Sequence, residues 1–345
     1  MFDRVFIVAE ISANHAQDFE KAVRMIKKAK ACGADAVKFQ TYTPDTLTIN
    51  SNNSFFRIKH PNWKDATLYQ LYKRAHTPWE WFKRLKKAAD EAGVMFFSTS
   101  FDRRAVDLLE ELNVPVHKIA SFELVDLPLI EYAAATRKPL ILSTGMATKA
   151  EIKEAVNTAK AAGAAEIVLL KCVSDYPARI EEMNLKTIPH MQKTFKCPVG
   201  LSDHTLGTSV PIAAVSLGAV MIEKHLTLSR KLKTPDSFFS IEPGAFKELI
   251  KSIRCAEKAL GHIHYGLTEG EKKNRIFRRS LFAVKDIKKG ERLSEENISS
   301  VRPAYGLSPK YARDILGRTA KKDIARGTPL EWKLISSPRL RRKAS

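Results

Sequence analysis

Gly200-Leu201-Ser202-Asp203-His204-Thr205 and, further along, Glu223-Lys224-His225 decide how this chain is read. Each histidine closes a short apolar run, Pro198 to Leu201 in the first case and Ala219 to Ile222 in the second. Strands buried on both faces of a parallel sheet read as such runs, and residues at their exits point into the mouth of an α/β barrel. Two neutral imidazoles at that level can share one divalent metal. The expectation is a barrel enzyme.

Working outward, six further runs have the same character: Phe6 to Ile11, Ala36 to Gln40, Met95 to Ser98, His117 to Ala120, Leu140 to Ser143 and Ile167 to Lys171. With Pro198 to Leu201 and Val220 to Glu223 they make eight strands. Amphipathic segments lie between them: Phe19 to Ala31, Glu80 to Ala92, Arg104 to Leu112, Lys149 to Ala162 and Met183 to Thr194. Eight alternations over about 250 residues predict a (β/α)8 TIM barrel, and no G-x-G-x-x-G turn supports a dinucleotide-binding open sheet. The connection from Thr43 to Thr77 is long for a compact domain and carries Phe55, Phe56, Trp63 and Tyr69, which marks it as functional. After a helix from Gly244 to Leu260 the pattern changes to a polar stretch and then to short strands at Ser280 to Val284, Gly290 to Leu293 and Thr319 to Ala325. The organisation read from this is a barrel over 1–264, a linker over 265–279, a small β-rich domain over 280–338 and a basic tail over 339–345.

In a barrel, the strand ends supply the site. They offer Glu10, Lys38, Gln40, Thr99, Phe101, Lys118, Ser121, Glu123, Ser143, Thr144, Tyr176, His204 and His225. Lysines and hydroxyls suit a phosphate and a carboxylate on one small molecule, and carboxylates can move protons. Taken singly, each has a plainer explanation: a snorkelling lysine, a capping or ion-paired glutamate, a turn serine, a hydrogen-bonded core histidine. Their recurrence at equivalent strand positions favours a site. Ser202-Asp203-His204 is not a nucleophilic triad, because neighbours on a strand face opposite ways and no nucleophile elbow is present.

The chain has 345 residues and a formal net charge of +20. The basic residues are scattered over helix faces without a recognition motif, so specific nucleic-acid binding is not expected; a few of them could steer an anionic substrate. The cluster Arg339-Leu340-Arg341-Arg342-Lys343 reads as a solvated tail. No apolar run is long enough for a membrane span and Met1-Phe2-Asp3-Arg4 leads straight into a strand, which gives the expectation of a cytoplasmic protein. Cys32, Cys172, Cys197 and Cys255 form no C-x-x-C pair and are expected as buried, reduced thiols.

Several motifs together carry a family resemblance. Ala9-Glu10-Ile11-Ser12-Ala13-Asn14-His15, Val37-Lys38-Phe39-Gln40-Thr41, Lys118-Ile119-Ala120-Ser121-Phe122-Glu123, Ser143-Thr144-Gly145-Met146, Gly200 to Thr205 and Ile222 to His225 resemble the sialic-acid synthase family over almost the whole chain. The terminal module, with Val301-Arg302-Pro303, is similar to that family's antifreeze-like (SAF, β-clip) domain. Leu68-Tyr69-Gln70-Leu71-Tyr72, Thr77-Pro78-Trp79-Glu80-Trp81, Phe122, Asp236-Ser237 and Arg302-Pro303-Ala304-Tyr305-Gly306-Leu307 resemble its pseudaminic acid branch. The resemblance implies condensation of phosphoenolpyruvate with the open-chain aldehyde of an N-acetylated amino sugar, water entering and phosphate leaving. It implies His204 and His225 as ligands of Mn2+, with Mg2+ or Co2+ as alternatives, and Lys38, Thr99, Lys118, Ser121, Ser143 and Ser202 as the phosphoenolpyruvate site. Glu10 and Glu123 would manage protons, Gln40, Phe101, Tyr176 and Asp236 would meet the sugar, and Arg302 would reach an acetamido oxygen from the partner of a domain-swapped homodimer. Family members using N-acetylmannosamine carry an asparagine where this chain has Trp63, with Asn62 beside it. An aromatic ring there favours a 6-deoxy sugar, such as 2,4-diacetamido-2,4,6-trideoxy-L-altrose. The alternative is an N-acetylneuraminate or legionaminate synthase of the same mechanism.

Two other classes compete. A Schiff-base aldolase would use Lys38, Lys118, Lys171 or Lys224 as nucleophile, which borohydride trapping with pyruvate would reveal. A carbohydrate- or ice-binding protein built on the terminal module would be indifferent to chelation.

Overall fold

The computed structural model describes residues 3–59, 63 and 67–337. Eight parallel strands close on themselves in chain order: β1 Phe6–Glu10, β2 Ala36–Thr41, β3 Met95–Ser100, β4 His117–Ile119, β5 Leu140–Ser143, β6 Ile167–Cys172, β7 Val199–Asp203 and β8 Met221–His225. Closure runs from Phe6↔Met221 to Glu10↔His225, so the first and last strands end level with one another. The fold is the TIM barrel that the alternation predicts.

The α-helices up to residue 261 are α1 Phe19–Cys32, α2 Pro44–Leu47, α3 Leu68–Ala75, α4 Phe82–Ala92, α5 Arg103–Glu111, α6 Leu127–Ala134, α7 Lys149–Ala161, α8 Thr187–Phe195, α9 Ser209–Ser216 and α10 Pro243–Leu260. α1 shows why such segments form. Asp18 caps it by accepting from the Lys21 N–H, Ala22, Met25, Ile26 and Ala29 make one buried stripe, and Gly33 ends it at φ 101°. These stripes and the outward strand residues form the main core, whereas Val8, Phe97, Ile141, Val168, Leu170 and Met221 belong to a separate apolar cluster. Gly200 in β7 has no room for a side chain: a Cβ there would lie 2.5 Å from the Met221 carbonyl oxygen and 2.7 Å from Leu170 Cδ2. Gly200→Ala is expected to lower unfolding stability by about 3 kcal/mol, through overpacking, in a denaturant titration; an unchanged midpoint would contradict the close β7–β8 approach.

Four sequence expectations change. The connection 43–77 is not irregular throughout: it contains α2, a 3-10 turn at Ser54–Phe56 and α3, whose start is fixed by a reciprocal Thr67–Gln70 capping box. The helix read from Met183 begins only at Thr187, because Asn184 adopts φ 44° and interrupts it. Cys255 is exposed, while Cys32, Cys172 and Cys197 are buried, and all four are free thiols. In the second unit, β9 Ser280–Ala283 pairs antiparallel with β10 Ile298–Val301, a run that the sequence pattern does not mark as a strand. Gly290 to Leu293 and Thr319 to Ala325 instead make isolated bridges, Arg292↔Thr319, Ile287↔Ile324 and Ala320↔Ile335. Their pairing is too brief for a ladder because turns intervene at Gly290 and Gly327, both with φ 84°.

The chain divides after Gly261 into two compact units. The second has its own core, with Leu281, Ile287, Leu293, Ile298, Ile315, Ile324 and Leu330 among its buried residues. Asn62, Pro338 and the basic tail 339–345 lie outside the described residues. Among the described residues no helix is long and apolar enough to cross a membrane.

Candidate active site

The strand alternation explains how the site is assembled. Residues at every second position of a strand share a face, so Glu223 and His225 on β8 look the same way, as do Lys38 and Gln40 on β2. Lys38, Gln40 and Glu223 join Glu10, Thr99 and Ser202 in a continuous, largely buried polar chain. Gln40 Nε2 donates to Glu10 Oε1 at 3.1 Å, and Lys38 Nζ lies 2.7 Å from Glu10 Oε2. That ammonium also donates to Thr99 Oγ1 at 2.9 Å and stands 3.5 Å from Glu223 Oε1, which accepts from Ser202 Oγ at 3.1 Å. Lys38 is 3 % exposed and Lys118 1 %, so neither is a snorkelling surface lysine.

A second group centres on Lys118. Its ammonium donates to Ser143 Oγ at 2.7 Å and to the Ile119 carbonyl at 2.8 Å. Nearby, the Gly145 N–H donates to Ser121 Oγ at 3.0 Å, and a Cβ on Gly145 would meet Ser121 Oγ and Ser174 Oγ. The close approach explains glycine at this position, and the next residue, Met146, has φ 64°.

The third group is the imidazole pair. The His204 and His225 rings have centroids 5.4 Å apart. A metal about 2.1 Å from one nitrogen of each ring cannot separate the centroids by more than roughly 6.5 Å, so this spacing admits a shared ion. His204 Nδ1 donates to the Val173 carbonyl at 2.8 Å, so Nε2 is the nitrogen left to face a metal, the orientation that metal-binding histidines adopt. Burial is outweighed by Cys172 and this carbonyl, which hold the imidazole above its ordinary value, so a metal would displace the Nε2 proton. His225 Nδ1 is buried without a hydrogen-bond partner and lies 3.9 Å from Asp236 Oδ2. Burial and the nearby His204 hold His225 well below the ordinary imidazole range, so it is neutral. The two imidazoles are chemically suited donors for a divalent ion; among the described residues there is no cluster of three or more His, Cys, Asp or Glu suited to one.

Beside the imidazoles lies a cavity of about 280 Å3 whose wall includes Gln40, Tyr42, Trp63, Tyr176, His225, Asp236 and Phe239. Tyr176 packs 4.5 Å from His204 and 5.0 Å from Phe239, centroid to centroid. Trp63 donates its indole N–H to the Pro235 carbonyl at 3.1 Å. Phe101 packs edge-on to Tyr42 at 5.1 Å, and Asp236 accepts from Ser12 Oγ and the Ala13 N–H.

Burial sets the protonation chemistry. It raises Glu10 to about 7, helped by the Glu223 carboxylate and opposed by Lys38. Burial likewise lifts Glu123 to about 7, and Glu123 Oε2 has no hydrogen-bond partner. Lys118 is pulled down to about 8 by burial, whereas the carboxylates of Glu10 and Glu223 outweigh burial and hold Lys38 above its ordinary value. Glu223 stays below the usual carboxylate range because Lys38 and Lys118 outweigh its desolvation. Perturbed groups gathered in one cleft mark a functional site.

The barrel thus brings together Glu10, Lys38, Gln40, Thr99 and Ser202 in one chain, Lys118 with Ser143, Ser121 beside Gly145, and both histidines with Tyr176 and Asp236. Arg302 is an exposed residue of the second unit, directly after β10. Glu223 is not among the sequence candidates, although its position two residues before His225 puts it on the same face. Cys172 is a second omission; its sulfur lies 3.8 Å from His204 Nδ1. Tyr42 and Phe239, further wall residues, carry no motif that would mark them, whereas Tyr72 lies within the quoted stretch Leu68 to Tyr72 without being singled out there.

A closed parallel barrel with buried lysines, carboxylates and facing imidazoles gathered at its strand ends has the constitution of a TIM-barrel enzyme. Comparison with known proteins gives the particular family: the NeuB family model matches residues 25–265 and the SAF domain model residues 278–336. The chain belongs to the NeuB family. It is 46% identical to the pseudaminic acid synthase of Campylobacter jejuni over 95% of this chain and 96% of that protein. The pseudaminic acid synthase of Helicobacter pylori is also 46% identical, over 94% of this chain and 96% of its own length. The N,N'-diacetyllegionaminic acid synthase of Legionella pneumophila is 36% identical, covering 96% and 95%. Among solved structures, N-acetylneuraminic acid synthetase from Leptospira borgpetersenii in complex with citrate superposes with a TM-score of 0.71 at 33% identity, over 79% of this chain and 90% of that one.

Proposed function

We propose that this protein condenses phosphoenolpyruvate with 2,4-diacetamido-2,4,6-trideoxy-L-altrose and water to give pseudaminic acid and phosphate. The observation that carries the reading is the juxtaposition, in one barrel mouth, of a lysine–hydroxyl cradle and an imidazole pair beside an aromatic-walled cavity. Full-length similarity to pseudaminic acid synthases supports it.

Lys38 and Lys118, with Thr99, Ser121, Ser143 and Ser202, clamp the phosphate and carboxylate of phosphoenolpyruvate. His204 and His225 hold a divalent metal, Mn2+ in our reading, which supplies Lewis-acid polarisation of the sugar aldehyde. Gln40, Tyr176 and Asp236 orient the sugar over the clamp, and Tyr42 backed by Phe101 closes the wall. The enol carbon attacks the aldehyde carbon, and positive charge develops at the phosphate-bearing carbon. Water adds there, surrendering a proton to a carboxylate while the alkoxide formed from the aldehyde takes one up; phosphate then leaves with the C–O electron pair as the hydroxyl on that carbon loses its proton and becomes the keto group. Glu123 is the better base for that water: both carboxyls are raised to about 7, which suits proton transfer at neutral pH, but Glu10 is engaged by Lys38 and Gln40 whereas Glu123 Oε2 has no partner. Glu10, tied to Lys38 and Gln40, fixes the clamp and the sugar side. Trp63 presents an apolar ring that accepts a C6 methyl group better than a hydroxymethyl group.

The test is phosphate release from phosphoenolpyruvate with a panel of acetamido sugars. Turnover with the 2,4-diacetamido-6-deoxy sugar and little with N-acetylmannosamine supports the assignment; preference for N-acetylmannosamine, or for the legionaminate precursor, would transfer the chain to those alternatives. In a domain-swapped homodimer, Arg302 reaches the acetamido oxygen in the partner's site. Arg302→Ala is therefore expected to lower kcat/KM for the sugar about 100-fold, an orientation effect, with phosphoenolpyruvate affinity retained. Mixing Arg302→Ala with His225→Ala protein should restore activity once subunits exchange, since one mixed site carries neither lesion. Verified exchange without recovery would exclude the swap.

A further inference from the structure

Two residues of the motifs quoted first, Asp203 and Lys224, have no part in the chemistry described so far. They are direct neighbours across the β7–β8 ladder, Asp203 being register partner of Lys224. The next residue along the chain is in each case a histidine of the pair, His204 directly after β7 and His225 at the end of β8. Strand alternation turns their side chains away from the face that carries Ser202, Glu223 and the imidazoles. There Lys224 Nζ donates to Asp203 Oδ2 at 2.6 Å and to the Thr205 carbonyl at 2.7 Å. Asp203 Oδ1 accepts from the Thr205 N–H at 3.0 Å and from its hydroxyl at 2.8 Å. Lys224 is 2 % exposed and Asp203 1 %.

These bonds enclose His204. Asp203 and Thr205, its two chain neighbours, are tied to each other, and Lys224 ties both to β8. His225 is held in turn where its carbonyl accepts from the Ile241 N–H at 2.8 Å and where Leu226 donates to the Glu10 carbonyl. Adjacent strands can slide or splay slightly at their ends, and a buried ion pair one residue below a pair of ligands removes that freedom. We infer that Asp203 and Lys224 are positioning residues that set the spacing of His204 and His225, and so the metal affinity of the site, without touching the metal. The inference rests on the reading of the two histidines as metal ligands.

The ion pair also removes Lys224 from consideration as a Schiff-base nucleophile, since its ammonium is fixed on the other face from the imidazoles. Replacing a buried ion pair by neutral groups of similar size often leaves stability nearly unchanged, whereas breaking it leaves an uncompensated charge. That difference separates positioning from mere support.

The experiment is titration of the metal-free full-length protein with Mn2+ alone, free Mn2+ being read by electron paramagnetic resonance, for the parent, His204→Ala, Lys224→Met and the double variant Asp203→Asn/Lys224→Met. Phosphoenolpyruvate affinity and thermal unfolding are measured alongside. Loss of an outer partner of a metal ligand typically weakens metal binding about 10–100-fold. The expected result is a Mn2+ dissociation constant raised at least about 10-fold in both Lys224 variants, with phosphoenolpyruvate affinity within about twofold and the double variant unfolding near the parent temperature. Parent-like Mn2+ affinity in the folded double variant would overturn the inference, as would failure of both variants to fold, which would make the pair a requirement of the barrel. Failure of the parent to bind Mn2+, or unchanged binding by His204→Ala, would instead overturn the metal reading itself.

Discussion

Replacing His204 or His225 by alanine is expected to reduce condensation at least about 1,000-fold while leaving the barrel folded. The size follows from the role: Lewis-acid stabilisation of developing alkoxide charge contributes several kcal/mol, and each ~1.4 kcal/mol is a factor of ten in rate. The fold should survive because neither ring carries the core. His225 Nδ1 has no hydrogen-bond partner, and His204 holds a carbonyl of the loop after β6. Mn2+ titration should show lost binding in each variant, with phosphoenolpyruvate affinity retained through Lys38 and Lys118. Either variant turning over at the parent rate would remove the imidazoles from the mechanism. Chelation of the parent should abolish turnover and added Mn2+ restore it, an outcome that a Schiff-base aldolase or a binding module would not give.

The barrel is legible in the sequence because its strands are short, apolar and evenly interleaved with amphipathic helices, and because the two periodicities are hard to confuse over eight repeats. The predicted strands stop two residues early at β7 and β8, where polar residues follow while the strand continues: Ser202 and Asp203 in one case, Lys224 and His225 in the other. Polarity ends an apolar run before geometry ends a strand. The connection after β2 is obscure for another reason. Its two helices are short, and only the Thr67–Gln70 capping box announces the second. In the terminal unit the pattern itself is weak: Ile298–Val301 has apolar residues only at its ends, and the paired segments elsewhere are single bridges. Individual candidates such as Lys38 are ambiguous in sequence because a buried lysine and a snorkelling one look alike; burial and the facing carboxylates decide it.

Lys118 and Lys38 should respond in opposite ways to the same substitution, and this separates catalytic from structural charge. Burial depresses Lys118 to about 8, so at neutral pH its ammonium is held at a cost to the folded state. Lys38 is raised above its ordinary value by Glu10 and Glu223, so it contributes stability that is fully present below the unfolded pKa and lost only as pH rises through the folded one. Lys118→Met should therefore raise the unfolding temperature of the substrate-free protein at pH 7. Lys38→Met should lower it, because two buried carboxylates are left facing each other. Both should weaken phosphoenolpyruvate binding, each by about 3 kcal/mol or somewhat over 100-fold, the scale of a charge-assisted hydrogen bond to a multiply charged anion. The pH dependence distinguishes them further. In the parent, affinity should fall up to about tenfold per unit above pH 8, as the free site loses the Lys118 proton that the bound anion requires. That limb should vanish in Lys118→Met and persist in Lys38→Met. A substrate-free Lys118→Met protein less stable than the parent, with phosphoenolpyruvate affinity and its alkaline limb unchanged, would mean that this lysine supports the barrel and does not hold the anion.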